Sequence, residues 1–217
     1  MKKAVIFDMD GTMVDNASVH KTAWIEYCRS KGVYISINDF EKIGFGLTSE
    51  HYIRTFIKND ASSEEINIMD KEKEALYREL YKPNIKAVKG LYELLVSLKN
   101  SGLKTAVATS AIPENLNFVL HELQIISFFD SLVDITQICH PKPDPEIYIK
   151  AAKKLNVNPS DCIVFEDSRF GIQAAHEAGM KVIAVNTDKK SEKLTHALKI
   201  INDFTQISVN DIITILN

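Results

Sequence analysis

The sequence holds no long apolar run; nothing in it approaches the roughly 20 residues that a helix needs to span a bilayer. It also lacks an excess of either charge. Lys and Arg number 26 and Asp and Glu 29, a net charge of −3 over 217 residues. That balance gives no footing for nucleic acid or an anionic membrane surface. Cysteine is scarce. Cys28, Cys139 and Cys162 are odd in number and far apart, with no zinc-ligand spacing. They read as reduced thiols, Cys162 packing near a strand. There are no internal repeats and no low-complexity tract. Met1-Lys2-Lys3 leads straight into an apolar run that Asp8 interrupts, which is not a signal-peptide pattern and predicts a cytoplasmic location. What is present is ordinary globular composition, 45% hydrophobic and 25% charged, long enough for one large domain or two small ones.

Two textures alternate along the chain. Apolar, β-branched runs occur at 4–7, 105–108, 163–165 and 182–185. Longer helical patterns lie between them. Residues 90–101 place Leu91, Leu94, Leu95 and Leu98 on one face, and Gly102 is a stop. Asp144-Pro145 suits an N-cap followed by proline at the first helical position, with Ile147, Ala151 and Leu155 recurring at spacing four. Another helix runs over 171–178 to Gly179. Strands alternating with helices predict an α/β fold with a doubly wound parallel sheet, covered on both faces. The stretch from about 15 to 86 breaks this rhythm. It has no comparable β-branched run and reads as helices, one from Ala17 past Trp24 to Lys31, another opened by a Ser62–Glu65 capping box and ending near Leu80. Residues 1–15 with 87–217 are expected to form the core, and 16–86 an inserted helical cap, placed as a lid beside the end of the first strand.

That first strand, Ala4-Val5-Ile6-Phe7, runs directly into Asp8-Met9-Asp10-Gly11-Thr12. Gly11 permits a sharp turn, and in open parallel sheets ligands bind at the carboxyl ends of the strands. Of the two carboxylates, one can attack an electrophile or hold a metal while the other moves protons. An Asp-x-Asp pair alone is usually a solvated loop; with the strand before it and Gly-Thr after it, the pattern is much more specific. Three further segments leave strands or open helices. Thr109-Ser110 offers hydroxyls and N–H groups for anionic oxygens, although such a pair is more often a cap. In His140-Pro141-Lys142-Pro143-Asp144-Pro145 the alternating prolines stiffen the backbone and aim Lys142, where most lysines are solvated surface groups. Glu166-Asp167-Ser168 ends an apolar run with adjacent carboxylates, which repel unless a cation sits between them; Asp167 or Ser168 can equally cap a helix. Oxygen ligands of this kind suit Mg²⁺ together with a substrate phosphate.

These four segments resemble the four motifs of the haloacid dehalogenase (HAD) superfamily over nearly the whole chain. The helical insertion looks like that of the β-phosphoglucomutase-like branch of small sugar-phosphate phosphatases and mutases. The resemblance implies a Rossmann-like core and a set of roles. Asp8 is the nucleophile that forms an aspartyl-phosphate, and Asp10 the general acid/base. Thr109 and the Ser110 backbone bind phosphoryl oxygens, and Lys142 offsets charge between Asp8 and the phosphate. Glu166 and Asp167, with Asp8 and the Asp10 carbonyl, hold Mg²⁺. His20 and Trp24, four apart on one helix face, resemble a His-x-x-x-Trp pair of the mutases and are assigned to the substrate region; packing is the plainer reading of both. The expected partner is a small phosphorylated metabolite, with no nucleic acid and no membrane, bound by a monomer.

Other positions depart from the mutases. Those carry an Arg after a Gly in the cap loop; here Gly46-Leu47-Thr48-Ser49-Glu50 has no basic residue until Arg54. They carry a Lys and an Asn after the second motif; here Ile112-Pro113 follows. Thr12 replaces an apolar residue, as in many phosphatases. The expectation is therefore a Mg²⁺-dependent phosphohydrolase acting on a small phosphorylated metabolite such as a sugar phosphate, with β-phosphoglucomutase as the alternative. A receiver-like phospho-signalling domain shares the acids, hydroxyl and lysine but lacks the insertion. A 2-haloacid dehalogenase needs no metal and would leave Asp10, Glu166 and Asp167 unexplained.

Overall fold

The computed structural model describes residues 3–43, 48–188, 194 and 196–217. They fall into two compact units, one of residues 1–15 and 85–217, the other of residues 16–84. The first unit is built on six parallel strands: β1 (Ala4–Phe7), β2 (Lys104–Ala108), β3 (Ser131–Val133), β4 (Cys162–Glu166), β5 (Lys181–Val185) and β6 (Lys199–Ile201). Their order in the sheet is β3-β2-β1-β4-β5-β6. The chain winds outward from β1 to β3, returns to β4 beside β1, and winds outward again, so the switch point lies between β1 and β4. In such sheets the crevice at the switch point is where ligands bind. The register pairs Phe7 with Val107 on one side and with Phe165 on the other. Residues just past Phe7, Val107 and Phe165 therefore emerge at one edge. All four residues of β1 are fully buried, as a central strand covered on both faces requires.

The second unit is helical among its described residues: α1 (Ala17–Ser30), α2 (Ile37–Ile43), α3 (Ser49–Tyr52) and α4 (Ser63–Tyr81), with a π-helical turn over Ile53–Ile57. The Ser62–Glu65 capping box forms, Ser62 Oγ accepting from Glu65 N–H at 3.2 Å and Glu65 Oε2 from Ser62 N–H at 2.8 Å. A small core of Trp24, Tyr27, Phe40, Tyr52, Ile53 and Ala61 holds the unit together.

In the sheet unit, α5 (Leu91–Ser101), α6 (Pro113–Glu122), α7 (Glu146–Leu155), α8 (Arg169–Glu177) and α9 (Val209–Leu216) complete the fold. Helix α7 packs on β1, β2 and β3, and α8 on β4 and β5, in a cluster with Ile6, Val164, Ala151 and Ala175. The opposite face carries stacked aromatics, Phe7 on Phe165 with centroids 5.1 Å apart and Phe204 against both, and is covered by α5 and α9. Three features differ from the sequence reading. Strands β3 and β6, with three residues each, are too short to register as runs; both are sheet edges, where short strands are common. Helix α7 starts at Glu146, although Asp144 Oδ1 still accepts Glu146 N–H at 2.9 Å. Helix α9 also escapes the strand-helix rhythm of the sequence. No helix among the described residues is long and apolar enough to cross a membrane.

Candidate active site

Asp8 is the first residue past β1, and its N–H donates to Phe165 O at 2.9 Å, tying it to the neighbouring strand. The chain then turns through Gly11, at φ +80°. A Cβ there would lie 2.1 Å from Asp167 Oδ2, so Gly11 is fixed both by its backbone and by the carboxylate lying against it. Buried Thr12 donates to Asp167 Oδ1 at 3.3 Å, and Thr187, just past β5, donates to Gly11 O at 2.6 Å. The turn carrying Asp8 and Asp10 is thus bound to the ends of both β4 and β5.

Lys142 reaches this turn from a loop that braces itself. Glu146 Oε2 accepts the N–H groups of Cys139 and His140, each at 2.9 Å, and Asp144 N–H donates to Pro141 O at 3.0 Å. The Lys142 side chain is 8% exposed, and its Nζ donates to Asp8 Oδ1 at 2.6 Å and to Glu166 Oε1 at 2.7 Å. Glu166 is 1% exposed. Its Oε1 also accepts from the Tyr148 hydroxyl at 3.2 Å, and its Oε2 from Ser168 N–H at 2.6 Å. The carboxylate lies on the bare Cα of Gly171, where a Cβ would come within 1.6 Å of Oε1. Ser168, not Asp167, is the cap of α8, accepting from Gly171 N–H at 3.0 Å.

The structure therefore brings Asp8, Lys142, Glu166 and Asp167 together. Thr109 and Ser110 leave β2 at the same edge: Thr109 is buried with its hydroxyl accepting Ala111 N–H at 3.1 Å, and Ser110 is exposed. Burial raises the Asp8 carboxyl to about 8; Lys142 pulls it down in part, and Glu166 and Asp10 push it up. Asp167 is also raised well above the carboxylate range, by burial and then by Glu166 and Asp8. Burial works against the charge on Lys142, but Asp8 and Glu166 outweigh it and hold the ammonium well above its ordinary value. Among the described residues, one lysine thus faces several carboxylates. Oxygens of Asp8, Glu166 and Asp167 lie within 4.8 Å of one another. Hard oxygen donors with mutual repulsion suit a small divalent cation, so these residues fit Mg²⁺.

His20 and Trp24 come together within the helical unit. The His20 ring stacks on Tyr77 with centroids 3.8 Å apart, and Lys73 Nζ lies 3.5 Å from His20 Nδ1 and 4.8 Å above the Trp24 ring. Lys73 is buried and paired with Glu74. Trp24 is 3% exposed, part of its own unit's core. Gly46 and Leu47 lie outside the described residues. Thr48 caps α3 by accepting His51 N–H at 3.2 Å. Arg54, the first basic residue after them, is held by Glu50 at 2.8 Å and by Asn59 O at 3.0 Å.

The sequence reading did not single out Tyr148, Gly171 or Thr187 for the site. Tyr148 sits beside the apolar stripe of α7 and passes for core; the available signal was its hydroxyl, which a buried apolar face cannot satisfy.

The haloacid dehalogenase-like hydrolase family model matches residues 5–185, which includes all of the motifs above. The chain belongs to this family. It is an enzyme of the HAD superfamily, on the hydrolase side, with an α/β Rossmann-like core. It is 31% identical to the β-phosphoglucomutase of Bacillus subtilis, over 84% of this chain and 83% of that protein. It is equally 31% identical to a phosphorylated carbohydrates phosphatase of Thermotoga maritima, over 83% of each. Protein SUPPRESSOR OF QUENCHING 1 of Arabidopsis thaliana is 35% identical over 97% of this chain, but the chain spans only 20% of that protein's length. A HAD family IA hydrolase from Entamoeba histolytica shares the fold with a TM-score of 0.91 at 29% identity, covering 100% of this chain and 99% of that one.

Proposed function

We propose that this HAD enzyme is a Mg²⁺-dependent phosphohydrolase acting on a small phosphorylated sugar through an aspartyl-phosphate on Asp8. The observation that carries the reading is the bridge from Lys142 Nζ to Asp8 Oδ1 and Glu166 Oε1, beside Asp167, at the switch point. Asp8 Oδ attacks phosphorus, the P–O bond to the sugar breaks, and Asp10 gives its proton to the leaving oxygen. Asp10 then takes a proton from the water that cleaves the aspartyl-phosphate. A phosphate monoester carries nearly two negative charges, so attack by a carboxylate depends on charge compensation. Lys142 supplies part of it from a fixed, water-poor position. Asp8, Glu166, Asp167 and the Asp10 carbonyl would hold Mg²⁺, which would supply the rest as a Lewis acid. Thr109 and the Ser110 backbone receive the remaining phosphoryl oxygens. The helical unit, inserted directly after the catalytic turn, is assigned to substrate selection and His20 to the substrate region.

Hydrolysis is favoured over mutase chemistry because Thr48, Ser49 and Glu50 supply no cation for a second phosphate and Arg54 is occupied locally. The B. subtilis relative favours the mutase reading, which predicts isomerisation of β-glucose 1-phosphate on priming with the bisphosphate. The deciding experiment is Asp8→Asn. Phosphate release from p-nitrophenyl phosphate and from hexose phosphates should fall by several orders of magnitude, with circular dichroism unchanged and beryllium fluoride trapping lost. A variant that kept a tenth of wild-type turnover would overturn the assignment.

A further inference from the structure

Lys142 is shared. Its ammonium lies 2.6 Å from Asp8 Oδ1 and 2.7 Å from Glu166 Oε1, two carboxylates that compete for one cation. The balance depends on how basic Glu166 Oε1 is, and every other donor on that oxygen weakens its pull. Among the described residues the other donor there is the hydroxyl of Tyr148, at 3.2 Å. Tyr148 is fully buried on α7, within a cluster otherwise made of aliphatic side chains, one thiol and one thioether. Phenylalanine would fill the same volume without the cost of burying a hydroxyl. The ring also lies 4.9 Å below Lys142 Nζ, within cation–π range. Ring and hydroxyl thus act on the two ends of the same ion pair.

We propose that Tyr148 is a positioning residue that keeps the Lys142 ammonium on Asp8: its hydroxyl occupies Glu166 Oε1 and its ring supports Lys142 from beneath. The proposal rests on Asp8 being the nucleophile, and Asp8→Asn tests that separately. Tyr148→Phe keeps the ring and its packing but frees Glu166 to draw Lys142 away. It should lower kcat by about 3- to 10-fold, the bias expected of one hydrogen bond of ordinary strength. KM for p-nitrophenyl phosphate should stay within about twofold, since uniform binding is untouched. Tyr148→Leu, which removes the ring as well, should fall further. In a Glu166→Gln background the competing charge is gone, and Tyr148→Phe should cost less than it does in wild type, measured in single turnovers.

A second measurement needs no turnover. In metal-free protein labelled with ¹⁵N-lysine, the Lys142 ammonium resonance is identified by its loss in Lys142→Arg, and it should shift in Tyr148→Phe. Wild-type kcat in Tyr148→Phe together with an unmoved Lys142 resonance would overturn the proposal. So would a Tyr148→Phe penalty equally large with and without the Glu166 charge, which would reduce Tyr148 to packing. Inactive Tyr148→Phe with active Asp8→Asn would instead refute the nucleophile assignment.

Discussion

At neutral pH His20 is an uncharged ring lying face to face on Tyr77 beside Lys73. Burial, and then the Lys73 charge, lower its pKa to about 3. Unfolded, it titrates near 6.5. Between these values the unfolded chain binds a proton that the folded chain refuses, so His20 makes stability rise with pH and fall as pH drops below about 6.5. Urea unfolding at pH 7 and pH 5 should show a larger loss for wild type than for His20→Gln, by about 1–2 kcal/mol; equal losses would place the ring in water. The chemistry-bearing residues were legible because each follows a strand or is aimed by prolines, and the structure does gather Asp8, Lys142, Glu166 and Asp167. Tyr148 was not legible, because sequence does not show that a hydroxyl on a core-facing helix points at a carboxylate 18 residues on. The resemblance assigns Trp24 to the substrate region, and in the structure its indole lies in the aromatic core of its own unit.

Elements were more readable where the pattern was long. The four strands that carry the site are apolar, largely β-branched runs, and they appear within a residue or so of their expected bounds. Strands β3 and β6 were invisible because three residues give no periodicity, and Lys199 at the start of β6 is exposed. Helix α4 was legible from its cap. Ser62 and Glu65 satisfy two N–H groups reciprocally, and the second carboxylate oxygen of Glu65 also takes Lys58 at 2.6 Å. Ser62→Ala should destabilise the helical unit by about 1 kcal/mol. Trp24, the one tryptophan of the chain, sits in that unit's core, so its fluorescence during urea unfolding reads the loss directly. An unchanged midpoint would show that α4 is held by packing alone.

For the molecule as a whole, the charge arrangement bears on the proposed dependence on metal. Among the described residues, carboxylates outnumber lysine at the switch point, and a phosphate adds further negative charge. Phosphate release should therefore vanish in excess EDTA, return with Mg²⁺, and be inhibited by Ca²⁺, which demands more ligands at longer distances. Full turnover in EDTA would sink the metal assignment. The sheet order has a different consequence, one of timing. Strand β1 is central, yet Ala4 pairs with Lys104 and Cys162, so its first neighbour lies about 100 residues further along the chain. On a ribosome adding about 5–20 residues per second, β1 spends about 5–20 seconds without either neighbour. The helical unit is made in that interval. The strand that leads into Asp8 is thus synthesised well before either of the strands that enclose it, a window in which an apolar strand depends on chaperones or on speed.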